Sequence, residues 1–205
     1  MELLRLVVTG TPGAGKSTFV RSVSSIGAVD TDRTATDSTA EIKSKTTVAF
    51  DFGRVTVGSG LELHVYGTPG QSRFNFMWDI LIRRAHAYIL LIAAHRPHEF
   101  GKALQIRAFM NEHAPSIPMV IGMTHLDRPG ACDPEEIMLR LGFFDRNNRP
   151  PMVAVNAGDR ASANQAINVL LLALLMYRHQ LQSQATTSPE PRLRSRLGPQ
   201  AMMMR

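Results

Sequence analysis

One glycine-rich segment near the start of the chain constrains its fold more than any other feature. The segment matches the pattern G-x-x-x-x-G-K-[S/T] with the residues Gly10, Thr11, Pro12, Gly13, Ala14, Gly15, Lys16, Ser17 and Thr18. It follows a short apolar run at residues 3–9 and precedes a plausible helix at 16–25. In that setting, backbone N–H groups converge on phosphate oxygens, Lys16 reaches the outer phosphates and the Ser17 hydroxyl binds Mg²⁺. We therefore predict a nucleotide-binding loop at the end of a buried strand.

The rest of the chain alternates between strand-like and helix-like segments. Two strand-like segments, 47–57 and 61–66, surround Gly58 and Gly60 and predict an antiparallel hairpin. Further strands and helices are expected at 72–84, 87–93, 97–112, 118–124, 134–141, 152–155 and 161–182. Apolar runs without alternation are typical of strands covered on both faces. We predict an α/β fold of the P-loop NTPase class: a doubly wound, mostly parallel six-stranded sheet with one antiparallel hairpin strand and helices on both faces.

The composition changes near the carboxyl end of the chain. We expect one domain over residues 1–182 and a flexible tail at 183–205 that contains Arg, Pro and Met. The tail carries four arginines and one glutamate, so it supplies half of the formal net charge of +6. The remaining body is only mildly basic and does not interleave aromatic residues with its arginines. We therefore expect no specific nucleic-acid partner and at most weak contact of the tail with a membrane surface.

Apolar run length and cysteine content predict the compartment. The longest apolar runs, at 87–94 and 169–177, are about half the roughly 20 residues that a membrane-spanning helix needs. The chain has a single cysteine, Cys132, and opens with no secretory signal. We expect no transmembrane segment and a cytoplasmic location.

A second group of residues could complete the phosphate site. In the turn at 67–71, a glycine can present its N–H to a γ-phosphate, and Gln71 can orient an attacking water. Upstream, a long polar loop at 27–45 leads to Thr46 and Thr47, either of which could close over Mg²⁺ and the γ-phosphate. Such a loop would be ordered by a triphosphate and released by a diphosphate, as in a molecular switch.

This layout resembles that of Ras-like small GTPases over about residues 1–180. The stretches at 45–53, 66–71 and 74–78 are similar to a bacterial branch that sits beside roadblock-domain proteins. The resemblance implies a switch that binds GTP and GDP, hydrolyses GTP slowly and has a roadblock-type protein as its regulatory partner.

The same resemblance assigns roles to individual residues. Lys16, Gly70 and Gln71 correspond to the catalytic set, in which Gly70 senses the γ-phosphate and Gln71 positions the water. Thr47 matches the switch threonine on Mg²⁺ because a strand begins directly after it, and Thr46 is the fallback. The nucleotide-dependent segments would then be residues 27–47 and 67–84.

Base recognition departs from the family pattern in two of its three defining positions. In such folds guanine is read by an Asn-Lys-x-Asp motif, and the matching residues here include Thr124, His125 and Asp127. Asp127 keeps the carboxylate that accepts from guanine N1–H and the exocyclic amine, which adenine does not offer in that arrangement. The Thr124 hydroxyl would have to bridge to the phosphate loop or the base, and the His125 ring could lie along the base or ribose. The loop Asn156, Ala157 and Gly158 is similar to the one whose backbone meets guanine O6.

Gly67 is a further departure, because Ras-like proteins usually carry an aspartate there that holds Mg²⁺ through a water. Asp51 or Asp32 could take over this task, and the residues alone do not choose between them. Two alternatives to a hydrolysing switch stay open. Gly67 favours a nucleotide-binding adaptor with little or no hydrolysis, and Thr124 and His125 leave room for an ATPase.

The remaining conspicuous residues have both functional and ordinary explanations. The apolar cluster at 74–78 fits either the core or a partner surface exposed in one nucleotide state. Arg73, Arg83 and Arg84 could each serve as an internal arginine finger, with Lys43 and Lys45 as alternatives in the loop, or be solvated charges. The seven histidines show no metal-ligand spacing, and Cys132 has no partner cysteine. We therefore expect neither a histidine metal centre nor a cysteine nucleophile.

Overall fold

Six strands form one sheet in a computed structural model that describes residues 2–25, 51–69 and 81–187. The strand bounds are β1 Glu2–Gly10, β2 Asp51–Val57, β3 Leu61–Gly67, β4 Ala87–Ala93, β5 Met119–Thr124 and β6 Met152–Val155. Their order across the sheet is β2-β3-β1-β4-β5-β6. All neighbouring pairs are parallel except β2 and β3, which run antiparallel. The predicted sheet, with one antiparallel hairpin strand, is confirmed.

Four helices and two short 3-10 turns accompany these strands within the described residues, and the last helix follows β6. Their bounds are α1 Lys16–Val23, α2 Phe100–His113, α3 Pro134–Arg140 and α4 Arg160–Thr187, with 3-10 turns at Pro97–Glu99 and Arg146–Asn148. The helix expected at 97–112 is thus divided into a 3-10 turn and α2. None of these helices is long and apolar enough to cross a membrane.

Two helix ends differ from the predicted ones, one of them only slightly. Helix α1 stops at Val23, two residues early, because Ser24 is extended and both the N–H and the hydroxyl of Ser25 donate to the Arg54 carbonyl at 2.7 Å. Helix α4 continues to Thr187, and the Ser183 hydroxyl donates to the His179 carbonyl at 3.0 Å within it. The helix end predicted at residue 182 therefore lies inside α4, because a change in composition need not end a helix.

The helices cover both faces of the central strands. Along β4, alternate residues enter two different cores: Ile89 and Leu91 pack with α1 and α4, whereas Leu90 and Ile92 pack with α2 and α3. Both sets are fully buried, which explains why this strand is apolar without alternation. Strand β2 lies at the sheet edge and buries only Gly53.

Several predicted segments lie outside the described residues. These are the polar loop and the start of the first hairpin strand at 26–50, most of the helix at 72–84, and the tail from 188 onward.

Candidate functional site

The glycine-rich loop joins the end of β1 to the start of α1, as predicted. Gly10 passes so close to β4 that a Cβ there would lie 2.1 Å from the Leu91 carbonyl oxygen, so no other residue fits. Gly15 caps α1 in the left-handed region, with a φ of 88°. The first turn of a helix leaves N–H groups without acceptors inside the helix. These groups face the loop, which makes it suited to bind an anion.

Lys16 lies inside this loop and is buried. Its Nζ donates to the Gly10 carbonyl at 2.9 Å and to the Thr11 carbonyl at 3.0 Å. Burial lowers the pKa of Lys16 from 10.5 to about 8, and the negative charge of Asp51 opposes that shift. The ammonium is therefore held at the loop, ready to exchange carbonyl acceptors for phosphate oxygens.

The carboxyl ends of β5 and β6 lie beside this loop. Thr124 ends β5 and pairs with Val155 of β6, so the residues that follow the two strands emerge next to each other. They border a cavity of about 650 Å³, a size typical of small-molecule sites. Its lining joins the phosphate loop to the base-recognition residues: Gly15, Thr18, Thr124, His125, Asp127, Asn156, Ala157 and Gly158.

Thr124 connects this cavity wall to the phosphate loop. The residue is buried, and its hydroxyl lies 3.1 Å from the Ala14 carbonyl and 3.2 Å from the Ile92 carbonyl. The sequence predicted that this hydroxyl contacts either the phosphate loop or the base, and in the structure it contacts the phosphate loop. Asp127 lies three residues further on, exposed at the cavity.

The loop after β6 contacts both α1 and the phosphate loop. The Ser22 hydroxyl of α1 donates to the Ala157 carbonyl at 2.7 Å, and a Cβ at Gly15 would lie 2.9 Å from the Ala157 Cβ. The Asn156 side chain accepts from the Gly158 N–H at 3.1 Å, which closes the loop on itself. Phosphate loop, α1 and the 156–158 loop therefore form one packed unit.

His125 and two residues after β4, His95 and Arg96, line a pocket at the edge of the phosphate loop. The His125 Nε2 lies 3.3 Å from the Gly13 carbonyl oxygen, and its ring meets the His95 ring edge-to-face. The Arg96 guanidinium occupies the space that a side chain at position 13 would need. A Cβ at Gly13 would lie 2.6 Å from Arg96 Nη1. With Arg128 these residues line a second cavity of about 310 Å³.

Sequence reasoning missed His95 and Arg96 as site residues. Both follow β4 at the carboxyl edge of the sheet, where ligands bind in open α/β folds. Their position directly after a predicted strand was the sequence signal that could have identified His95 and Arg96 as site residues. Loss of hydration lowers the pKa of His95, and the charges of Arg96 and Arg128 nearby act in the same direction. The neutral form of His95 is thereby favoured.

Some of the remaining predicted site residues lie in the part of the chain that the structure describes, and others lie outside it. Ser17 is exposed at the start of α1. Thr46, Thr47, Gly70 and Gln71 lie outside the described residues, as do Arg73 and the cluster at 74–78. Residues 67–69 are described, and Thr68 is anchored to β1 by its N–H to the Val8 carbonyl and its hydroxyl to Thr9.

The described part of the chain contains neither a cluster of metal-binding side chains nor a reactive thiol. No group of three or more histidine, cysteine, aspartate or glutamate side chains there could hold a metal ion. Cys132 is buried, and burial raises the pKa of its thiol, which disfavours a nucleophilic thiolate.

Comparisons with known proteins place these features in a family. Residues 5–127 match the model of "Roc", described as the Ras of Complex domain of DAPkinase. An uncharacterized protein of Methanocaldococcus jannaschii is 30% identical over 94 residues, which cover 45% of this chain and 53% of that protein. The chain thus spans about half the length of this curated relative. The structure of the Arl6 (BBS3) small GTPase from Trypanosoma brucei, with the nucleotide analogue GppNp bound, matches with a TM-score of 0.62 at 18% identity. That match covers 86% of this chain and 99% of the other, and it shows a shared fold.

Proposed function

Because the chain belongs to the Roc (Ras of Complex) family of Ras-like GTPase domains, we propose that it is a GTP-binding switch that slowly hydrolyses GTP to GDP. It would signal to a partner through residues 27–47 and 67–84. The observation that carries the proposal is the bond from the Thr124 hydroxyl to the Ala14 carbonyl. That bond ties the strand leading to Asp127 to the loop predicted to hold the phosphates.

Guanine selection would rest on Asp127. Its carboxylate borders the same cavity as the 156–158 loop, so one base could contact both. A carboxylate there is satisfied by the two donors of guanine, whereas adenine leaves it unpaired. Thr124 would position this wall, and His125 would pack beside the ribose and the loop.

Phosphate binding would rest on the loop amides and Lys16, and the magnesium site on Ser17 and Thr47. Ser17 is exposed at the helix start beside the loop, which suits a metal ligand next to bound phosphates. Bound Mg²⁺ would neutralise charge on the β- and γ-phosphates. Gly70 would sense the γ-phosphate and Gln71 would orient the attacking water.

Our proposals for the partner and the compartment rest on the sequence patterns alone. The stretches at 45–53, 66–71 and 74–78 support membership of the bacterial branch and hence a roadblock-type regulatory protein. The single cysteine supports a reducing cytoplasm. The tail would contact a membrane surface weakly at most.

The first experiment identifies the nucleotide that copurifies with the protein and follows Mg²⁺-dependent turnover. We expect bound GDP and slow GTP hydrolysis that is absent in Lys16→Ala. In Gln71→Leu, we expect slower hydrolysis with nearly unchanged binding. Equal turnover in Gln71→Leu would remove that residue from the mechanism.

Base specificity is tested separately with Asp127→Asn. The amide N–H can pair with the 2-oxo group of xanthine, so this variant should shift preference from guanine toward xanthine nucleotides. Retained GTP without turnover in the natural chain would identify the adaptor instead. Preference for adenine nucleotides would contradict the role of Asp127 and indicate an ATPase.

A further inference from the structure

The space left by Gly67 is filled from the neighbouring strand. In the antiparallel register of β2 and β3, Asp51 is the partner of Gly67. A Cβ at residue 67 would lie 3.0 Å from the Asp51 Cβ and 3.1 Å from its Oδ2. The Asp51 carboxylate therefore occupies the volume that a side chain at position 67 would take.

This carboxylate is on the face of the sheet that carries the phosphate loop. Gly67 pairs with Val8 of β1, two residues before the loop begins at Gly10. The Cβ position at Gly67 is also 3.3 Å from Val20 of α1, the helix whose first turn holds Lys16 and Ser17. The negative charge of Asp51 acts on Lys16, so the two groups are within electrostatic range.

Within residues 2–25, 51–69 and 81–187, the Asp51 carboxylate makes no hydrogen bond or ion pair. Asp51 is half-buried at the start of β2. A half-buried carboxylate without such a contact is available to a cation or to a water bound by one. Mg²⁺ keeps several waters and is held by one or two protein groups together with substrate phosphates. One carboxylate at this position satisfies that requirement without a cluster of acidic residues.

We propose that Asp51 replaces the aspartate missing at position 67 and holds, through a water, the Mg²⁺ of the bound nucleotide. The carboxylate reaches the site from β2 instead of β3, and Gly67 is glycine because Asp51 needs its space. This inference rests on the proposed nucleotide binding but not on hydrolysis. It selects Asp51 over Asp32, which lies outside the described residues.

The test measures the dissociation rate of a fluorescent GDP analogue as a function of free Mg²⁺. In the natural chain, dissociation should slow as Mg²⁺ rises. The midpoint is the Mg²⁺ concentration at which this slowing is half complete. In Asp51→Asn, it should increase at least tenfold, as is usual when an outer partner of a metal site is removed. The rate in EDTA should change little, because the contacts of the protein with the nucleotide remain.

A double variant tests whether the position of the carboxylate matters. Asp51→Gly with Gly67→Asp moves the group back to β3 and removes the clash that a single Gly67→Asp change would create. It should restore the midpoint toward that of the natural chain. Glu62→Gln, on β3 but at the far end of the strand, is the matched control and should leave the midpoint unchanged.

Each outcome has a distinct meaning. An Asp51→Asn midpoint equal to that of the natural chain overturns the inference while leaving nucleotide binding intact. A GDP-analogue dissociation rate that rises equally with and without Mg²⁺ in Asp51→Asn also overturns the inference, because Asp51 would then act only on Lys16. A natural chain that binds no guanine nucleotide in EDTA or Mg²⁺ refutes the proposed function instead.

Discussion

The buried charge of Lys16 should couple nucleotide binding to proton uptake. Its pKa of about 8 means that close to half of the free molecules lack the charge at pH 8. Bound phosphates favour the charged form, so the pKa should rise when nucleotide binds. Binding at pH 8 should then take up about 0.5 proton, and affinity should fall by up to about tenfold per pH unit above that.

The same residue makes the free protein sensitive to pH in the opposite direction. The pKa of Lys16 is lower in the folded chain than its usual value of 10.5, so the unfolded chain binds more protons between pH 8 and 10.5. Stability should therefore rise with pH across this window, by about 3 kcal/mol in total. Nucleotide affinity and the stability of the free chain should thus change in opposite directions.

Calorimetric titration with GDP in two buffers of different ionisation enthalpy measures the proton uptake directly. The chain has few lysines, so NMR of their side chains can follow each one, and Lys16→Arg identifies the signal that belongs to Lys16. The arginine variant, where it still binds, should take up no proton because its guanidinium stays charged. Binding by the natural chain without proton uptake at pH 8, or titration of Lys16 above pH 10, would refute the reasoning.

Three further substitutions test how the site is built. Thr124→Val should lower the free energy of unfolding by about 1–2 kcal/mol and weaken nucleotide binding, because the Ala14 carbonyl loses a buried donor. Urea unfolding checks this, and a Thr124→Ser variant, which keeps the hydroxyl, that is destabilised as much as Thr124→Val would contradict it. Gly15→Ala should weaken binding of fluorescent GDP at least tenfold, because its Cβ would lie 2.9 Å from the Ala157 Cβ and its φ is 88°; unchanged affinity would show that the loop tolerates a side chain. Asp133→Ala should lower stability by about 1 kcal/mol, because its carboxylate caps α3, and should not change affinity in the same titration. An altered affinity would argue against a purely local effect.

The order of strands and the phosphate loop could be predicted because their signals are local. A glycine pattern between an apolar run and a helix specifies the loop from Gly10 to Lys16 by itself. The bounds of β4 at Ala87–Ala93 agree with the sequence prediction because both faces of that strand are buried, so the apolar run at 87–94 ends within one residue of the strand. The end of α4 was less predictable, because polar residues such as Ser183 are compatible with an exposed helix.

The parts of the site that escaped prediction depend on contacts between distant segments. Arg96 reaches the phosphate loop because β4 lies next to β1 in the sheet; its position after β4 indicates the ligand-binding edge of the sheet but not this contact with Gly13. The relation of Asp51 to Gly67 likewise depends on the strand register, which a hairpin signal alone does not fix. Sequence reasoning could name Asp51 as one of two candidates but had no physical basis to choose it.

The bonds that hold the cavity together connect residues far apart in the chain. Thr124 and Ala14 are 110 residues apart, and Ser22 and Ala157 are 135 apart. Such a site exists only when the whole sheet has formed, so an unfolded or partly folded chain has nothing with which to bind a nucleotide. A ligand at 100 times its dissociation constant adds about 2.7 kcal/mol to the stability of a protein that binds it only when folded. The lifetime of this protein in the cell should therefore rise and fall with the supply of its nucleotide.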